Sequence, residues 1–491
     1  MADNKISDIT RHRLTLALCL LAILVLILAF WSRQIHNDEA WIGQQIWSLD
    51  QTGHIESELF RDCPPLDQEI VVYHKLLVWS GLGASQIAGW GLYQLRSIAF
   101  LAGLLSLAIL FWQLRQGQDR VLSWKVVAIL LLTPVFWLQM LEFRPESLLL
   151  LFGVLSYFTI EKARQTQNLA YYALAGLFAG FAGLTHAFGF VFVIAGFVAL
   201  LIDRKLTAAV FVLVFGVIGF SPYASGYFTD RELFIEQTIH NPLMTTALSF
   251  DWWQPLVNLL TEHKRILRKP EVIGLTVLFL LSLPFVRGDV WRKNRFLFIY
   301  LTVTAIVLAA SPLPKFTRYM IPIVPFMAII IAQVSFAISN PMSNWQRHAA
   351  TAFRVWSVLF IAYGCFALVY EAIPKQVNQI EVNAIMAKEM QPASLVMAPF
   401  DFVFMQQGNF IIQSWWGADR AAGGNKSISF LESYADSRGV EHLIVDPVIM
   451  DAWNLSEQQL NGGFTKYRLQ QSLPEARRYL LSRIHEHTEP Q

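Results

Sequence analysis

Cysteine is scarce: the 491 residues hold three, Cys19, Cys63 and Cys365, scattered and two of them inside apolar runs. That spacing builds neither a disulfide framework nor a zinc-ligand pattern. Charge is scarce as well. Asp, Glu, Lys and Arg make up 15% of the chain, against roughly 25% in soluble domains, which excludes a soluble multidomain enzyme. Neither sign of charge dominates, since 38 Lys and Arg against 36 Asp and Glu leave a net +2. A nucleic-acid partner, which needs a basic face, is therefore excluded. Internal repeats and low-complexity tracts are also lacking. What abounds is apolar: 55% of residues are hydrophobic, with 36 Phe, 16 Trp and 14 Tyr. Such an aromatic load suits the two surfaces of a membrane.

Apolar runs of spanning length cover 14–31, 92–114, 125–141, 146–160, 170–184, 187–202, 206–222, 271–286, 296–310, 319–337 and 355–372, then stop. Hydropathy reads them as about eleven transmembrane helices. The first run follows Arg11 and Arg13 and ends in the bulky Phe30-Trp31-Ser32-Arg33, which offers no signal-peptide cleavage site. It is read as a retained helix. Lys and Arg concentrate in the even-numbered loops, for example Arg287, Arg292, Lys293 and Arg295, which predicts a cytoplasmic N-terminus. The cluster Lys264-Arg265 with Arg268-Lys269 is a misfit, placed in a long loop lying on the lipid surface.

Three segments then project outward: 32–91, 223–270 with its Trp252-Trp253 pair, and the tail after Pro374. In the tail, strand-length runs at Ser394–Phe400, Asn409–Ser414 and His442–Val445 flank a helix-like stretch, Lys426–Arg438, ended by Gly439. Ser456–His485 reads as helical again. The expectation is a mostly α, polytopic membrane protein: a transmembrane region at 1–373 and an extracytoplasmic α/β domain at 374–491.

Several polar residues fall at the outer ends of these helices. They are Asp38-Glu39, Arg144-Pro145-Glu146, His186, and Lys315-Phe316-Thr317-Arg318-Tyr319. Singly each has a bland reading: a solvated helix exit, an interfacial ion pair, a packed histidine, cations snorkelling to headgroups. Together they place carboxylates and cations on one face of a bundle. Charge at membrane depth is expensive enough that it usually faces a functional cavity.

In this order the residues resemble the GT-C glycosyltransferases of the protein O-mannosyltransferase and lipid A aminoarabinose transferase superfamily. The resemblance runs through the acidic pair Asp38-Glu39, the Pro64-Pro65 pair, Arg96 opening the second long helix and Arg144-Pro145-Glu146. It continues through Leu184-Thr185-His186 and the Lys-x-x-x-Tyr-x-x-Pro-x-x-Pro pattern from Lys315 to Pro325. Two positions depart from the pattern: Cys63 precedes the Pro-Pro pair where relatives carry Lys or His, and His186 replaces a lysine.

The resemblance implies a donor made of one sugar on a polyprenyl phosphate and an acceptor hydroxyl on a lipid, glycan or protein at the outer face of the inner membrane. Lipopolysaccharide modification is within that range. Asp38 would take the acceptor's proton, with Glu39 or Glu146 orienting it. Arg144, Lys315 and Arg318, and behind them Arg96, His186 and Tyr319, would face the donor phosphate. A divalent metal is possible, although no dedicated site is visible. The rivals are a flippase that moves lipid-linked sugars without chemistry, a membrane-anchored assembly factor, and a ligase transferring a whole glycan.

Overall fold

The computed structural model describes residues 2–117, 120–239, 252–311, 315–338, 343–374 and 378–484. Each apolar run coincides with helix, from Ala2–Ser32 and Leu92–Gly117 to Gly288–Ala310 and Asn344–Ala372. Among the described residues, five helices are long and apolar enough to cross a membrane, or six if one bent pair is a single span. The helices Leu169–Thr185, Ala187–Ile202, Pro270–Phe285 and Val324–Ser335 are apolar but shorter.

The bent pair is where hydropathy misleads. The run 125–141 is two helices, Arg120–Leu131 and Pro134–Met140, meeting at 75°. Pro134 stands at the start of the second helix, where its missing N–H does no harm, and it pushes Thr133 into an extended conformation. Hydropathy stays high across the corner, so run length misses it, and its trace in the sequence is Thr133-Pro134 itself. The second half leads directly to the turn that holds Arg144.

Between apolar helices, small residues let backbones touch. A Cβ on Gly180 of Leu169–Thr185 would come within 2.8 Å of the Gly219 Cα in Leu206–Phe220. The bundle core is mostly Leu, Ile, Phe, Val and Ala, with Phe192, Tyr300 and Phe326 among its fully buried side chains.

The two outer segments and the tail meet at one end of this bundle. Residues 32–91 fold as helices Asn37–Thr52 and Lys75–Ala88. The segment 223–270 contributes Ser225–Thr229, Arg231–Ile239, Gln254–Leu260 and His263–Ile266, while its residues 240–251 lie outside the described ones. The tail forms a five-stranded sheet of β1 (Leu395–Met397), β2 (Ile411–Gln413), β3 (His442–Val445), β4 (Tyr467–Leu473) and β5 (Arg478–Arg483), ordered β2-β1-β3-β5-β4. The first three strands are parallel and the last two antiparallel.

The expected helix over Ser456–His485 is corrected here. Glu457–Gly462 is α-helical, and most of the rest is the β4–β5 hairpin, closed by a 3-10 turn at Pro474–Ala476, with His485 outside the described residues. Arg478–Leu481 is buried on both faces because β5 lies between β3 and β4. Pairing across the sheet, not local pattern, decides that segment. The sheet does not stand apart. Ile42 and Ile46 of Asn37–Thr52 share one core with Phe402, Phe404 and Ile412 of the tail.

Candidate active site

Helix Asn37–Thr52 opens with a reciprocal cap. His36 Nδ1 accepts from the Asp38 N–H at 3.1 Å, and Glu39 Oε2 accepts from the His36 N–H at 2.8 Å. The cap turns the two acidic residues in different directions.

Glu39 points inward and is fully buried. Its oxygens accept from Arg96 Nε at 2.7 Å and Nη2 at 2.8 Å, and from the Phe143 N–H at 2.7 Å. Arg96, equally buried, spends its remaining three donors on the carbonyls of Phe30, Arg33 and Gln34. This pair has no lone pair or proton to spare.

Asp38 points outward, with 38% of its side chain exposed. Oδ2 accepts from Arg144 Nη1 at 2.5 Å, while Oδ1 lies 4.0 Å from His36 Nδ1. One carboxylate oxygen is therefore anchored and the other faces open space.

Arg144 holds the cluster together. It caps helix Pro145–Thr166 in an extended conformation, and Pro145 at the first helical position fixes the turn. Beyond Asp38, its Nη2 and Nε reach Glu146 at 3.0 and 3.3 Å. Burial would lower its pKa, but Glu146 and Asp38 outweigh that and raise it above the ordinary value. Arg318 approaches Glu146 at 3.6 Å, its Nε has no hydrogen-bond partner among the described residues, and it keeps a quarter of its side chain exposed.

Arg144, Lys315 and Arg318 line one cavity of about 200 Å³, together with Arg33, Glu142 and Arg268. Within it Lys315 is already engaged by Glu262 and the Ala309 carbonyl, each at 2.9 Å. Arg33 is bound by Glu142 and Glu371.

On the other flank, His186 stacks on His74 with centroids 4.7 Å apart, and Tyr319 sits edge-on at 6.1 Å. Burial depresses both imidazoles, His74 to about 4, and His74 further lowers His186. Both rings are therefore neutral near pH 7. His186 does not supply the charge of the lysine it stands in for.

Sequence reasoning missed Lys75. It begins helix Lys75–Ala88, whose first turn no side chain caps, and it is 2% exposed. Its Nζ donates to Ser225 Oγ at 2.9 Å and lies 4.2 Å from the Tyr73 ring centre. Among the described residues no carboxylate pairs with it, and burial lowers its pKa to about 8. A buried cation without a counter-ion is the signal, and it is invisible until burial is known. Cys63, by contrast, is buried among apolar side chains, so no cation acts from that position.

The residues do not suit a resident metal. Among the described ones no three His, Cys, Asp or Glu side chains converge, and the anchored oxygen of Asp38 is taken by Arg144.

These features describe a polytopic helical membrane protein with an acid and cation cluster at helix ends and a small sheet domain packed on helix Asn37–Thr52. A family model described as dolichyl-phosphate-mannose-protein mannosyltransferase matches residues 76–225. ArnT from Cupriavidus metallidurans bound to undecaprenyl phosphate is 14% identical, with a TM-score of 0.61 over 98% of this chain and 99% of that one. The Archaeoglobus fulgidus oligosaccharyltransferase tethered with an acceptor peptide is 13% identical, with a TM-score of 0.54 over 89% of this chain and 69% of that one. AglB from the same organism, in complex with an inhibitory peptide and a dolichol-phosphate, is 11% identical, with a TM-score of 0.51 over 90% and 70%. No curated protein matches the chain. The fold is that of the GT-C glycosyltransferases.

Proposed function

We propose that the chain is a membrane glycosyltransferase that moves one hexosyl or pentosyl unit from a polyprenyl phosphate to an acceptor hydroxyl. The observation that carries this reading is Asp38. Arg144, which itself lines the cationic cavity, holds it at one oxygen, and among the described residues no hydrogen bond engages the other. Oδ1 takes the acceptor's proton as its oxygen bonds to the anomeric carbon. The bond to the donor phosphate breaks and its electron pair leaves with the polyprenyl phosphate. Displacement from one side inverts that carbon. Glu146 holds Arg144, and so acts through it rather than on substrate. Glu39 and Arg96 form the floor beneath Asp38.

The leaving phosphate gains charge as the bond breaks, so cations aimed at it help the transition state most. Lys75 and Arg318 fill that role, with Tyr319 and the neutral His74–His186 pair beside them. Lys75 also provides the cation that is wanting at Cys63, and the uncapped helix start behind it favours an anion. Arg144 and Lys315 are engaged by carboxylates and set the field rather than gripping phosphate. The acceptor is a lipid, glycan or protein, lipopolysaccharide included. The N-terminus is cytoplasmic, and the sheet domain with this site faces out from the inner membrane.

The test is transfer of labelled sugar from a synthetic polyprenyl-phosphate donor to membrane acceptors, in protein purified in lipid nanodiscs. Transfer by the wild type and not by Asp38→Asn is expected. Translocation of donor without transfer would replace this reading with the flippase.

A further inference from the structure

We propose that Gln237, which no part of the reaction above uses, is a positioning residue: it clamps the backbone that carries His74 and Lys75 into the site. Gln237 lies on helix Arg231–Ile239 and is 1% exposed. Its Oε1 accepts from the N–H groups of Val71 at 2.9 Å and Val72 at 3.2 Å. Its Nε2 donates to the carbonyls of Pro65 at 3.0 Å and Glu69 at 2.8 Å. Every hydrogen-bonding position of the side-chain amide is directed at one stretch of backbone some 170 residues earlier. Flipping the amide would set donors against donors, so the orientation is fixed by its partners.

The stretch it grips ends one residue before Tyr73. Two neighbouring contacts come from the same segment as Gln237. Ser225 accepts from Lys75 Nζ, and Gly226 lies so close that a Cβ there would sit 2.5 Å from the Val71 carbonyl oxygen. Loop backbone of this kind, at 65–72, has no sheet or helix ladder of its own, so its polar groups must be satisfied from elsewhere. Gln237 does this at four points. The helix it stands on has Ile235 and Ile239 exposed on its outer side, suited to a lipid surface. The clamp thus ties a membrane-surface element to the residues that meet the donor phosphate.

This rests on the reading of Lys75 as a donor-phosphate ligand, so the experiment tests the two separately. Binding of citronellyl phosphate, a short prenyl phosphate, is measured on the full chain in detergent between pH 6.5 and 9.5, with citronellol as the uncharged control. Lys75 faces the Tyr73 ring and the Ser225 hydroxyl with no ion pair among the described residues, so its titration shapes the profile. Wild-type binding should weaken as pH rises through about 8.

Gln237→Leu should weaken binding about tenfold and move that alkaline limb upward, because Lys75 is released toward water. Lys75→Met should bind weakly with no such limb, and adding Gln237→Leu to it should cause little further loss. The clamp is overturned if Gln237→Leu keeps the wild-type affinity and limb, or loses only folded protein and thermal stability. It is also overturned if its effect adds in full to that of Lys75→Met. If Lys75→Met itself binds as wild type does, the phosphate reading fails and takes the clamp with it. Gln237→Glu, which keeps the acceptor and loses both donors, should fall between.

Discussion

Asp38 and Glu39 are neighbours in sequence with the same chemistry and opposite fates. Glu39 and Arg96 are sealed from solvent, and the donors and lone pairs they do not give each other go to neighbouring backbone. Asp38 shares its arginine with Glu146 and keeps one oxygen free. The difference teaches that an ion pair's closure, not its presence, separates scaffold from machinery. A closed pair can only stabilise, whereas an open one can exchange a proton.

Breaking each pair should therefore fail in a different way. Asp38→Asn keeps the shape and removes the base. Transfer should fall about 10²–10⁴-fold while thermal unfolding of the purified protein barely moves. Arg96→Met strands a buried carboxylate and should lower stability by about 3–5 kcal/mol, read as loss of folded protein on heating. Comparable instability in Asp38→Asn, or undiminished stability in Arg96→Met, would erase the contrast.

Lys75 extends the comparison, being buried like Arg96 yet open like Asp38. Lys75→Met should lower donor kcat/KM about tenfold or more, with kcat falling at least as much as the donor KM rises. The lysine is charged below its depressed pKa of about 8, so donor kcat/KM should decline as pH climbs through that value. Lys75→Arg, which stays charged throughout, should flatten the decline. The smallest effect belongs to Lys315→Met. Its ammonium is already bound by Glu262 near the surface, and the donor KM should change less than about twofold.

Much of the bundle was legible because apolar run length is a local property: the helices at 92–114 and 355–372 fall where hydropathy puts them. So were β1 to β3, each a short apolar run. The β4–β5 hairpin was not, since Tyr467–Leu473 becomes a strand only by pairing with β5. The same limit applies to the site. Asp38, Arg144, Glu146, Arg318 and Tyr319 could be named from order along the chain, but nothing in that order tells which oxygen stays open. Lys75 went unnoticed because a lysine at a helix start looks solvated until its surroundings are known.

The sequence by itself determined that this chain lives in a membrane and that its acids and cations fall at helix ends, since both follow from composition and spacing. Only the tertiary structure decided which of those charges cancel and which remain available. Burial and pairing depend on groups brought together from residues 36 to 319, and no local stretch contains that information.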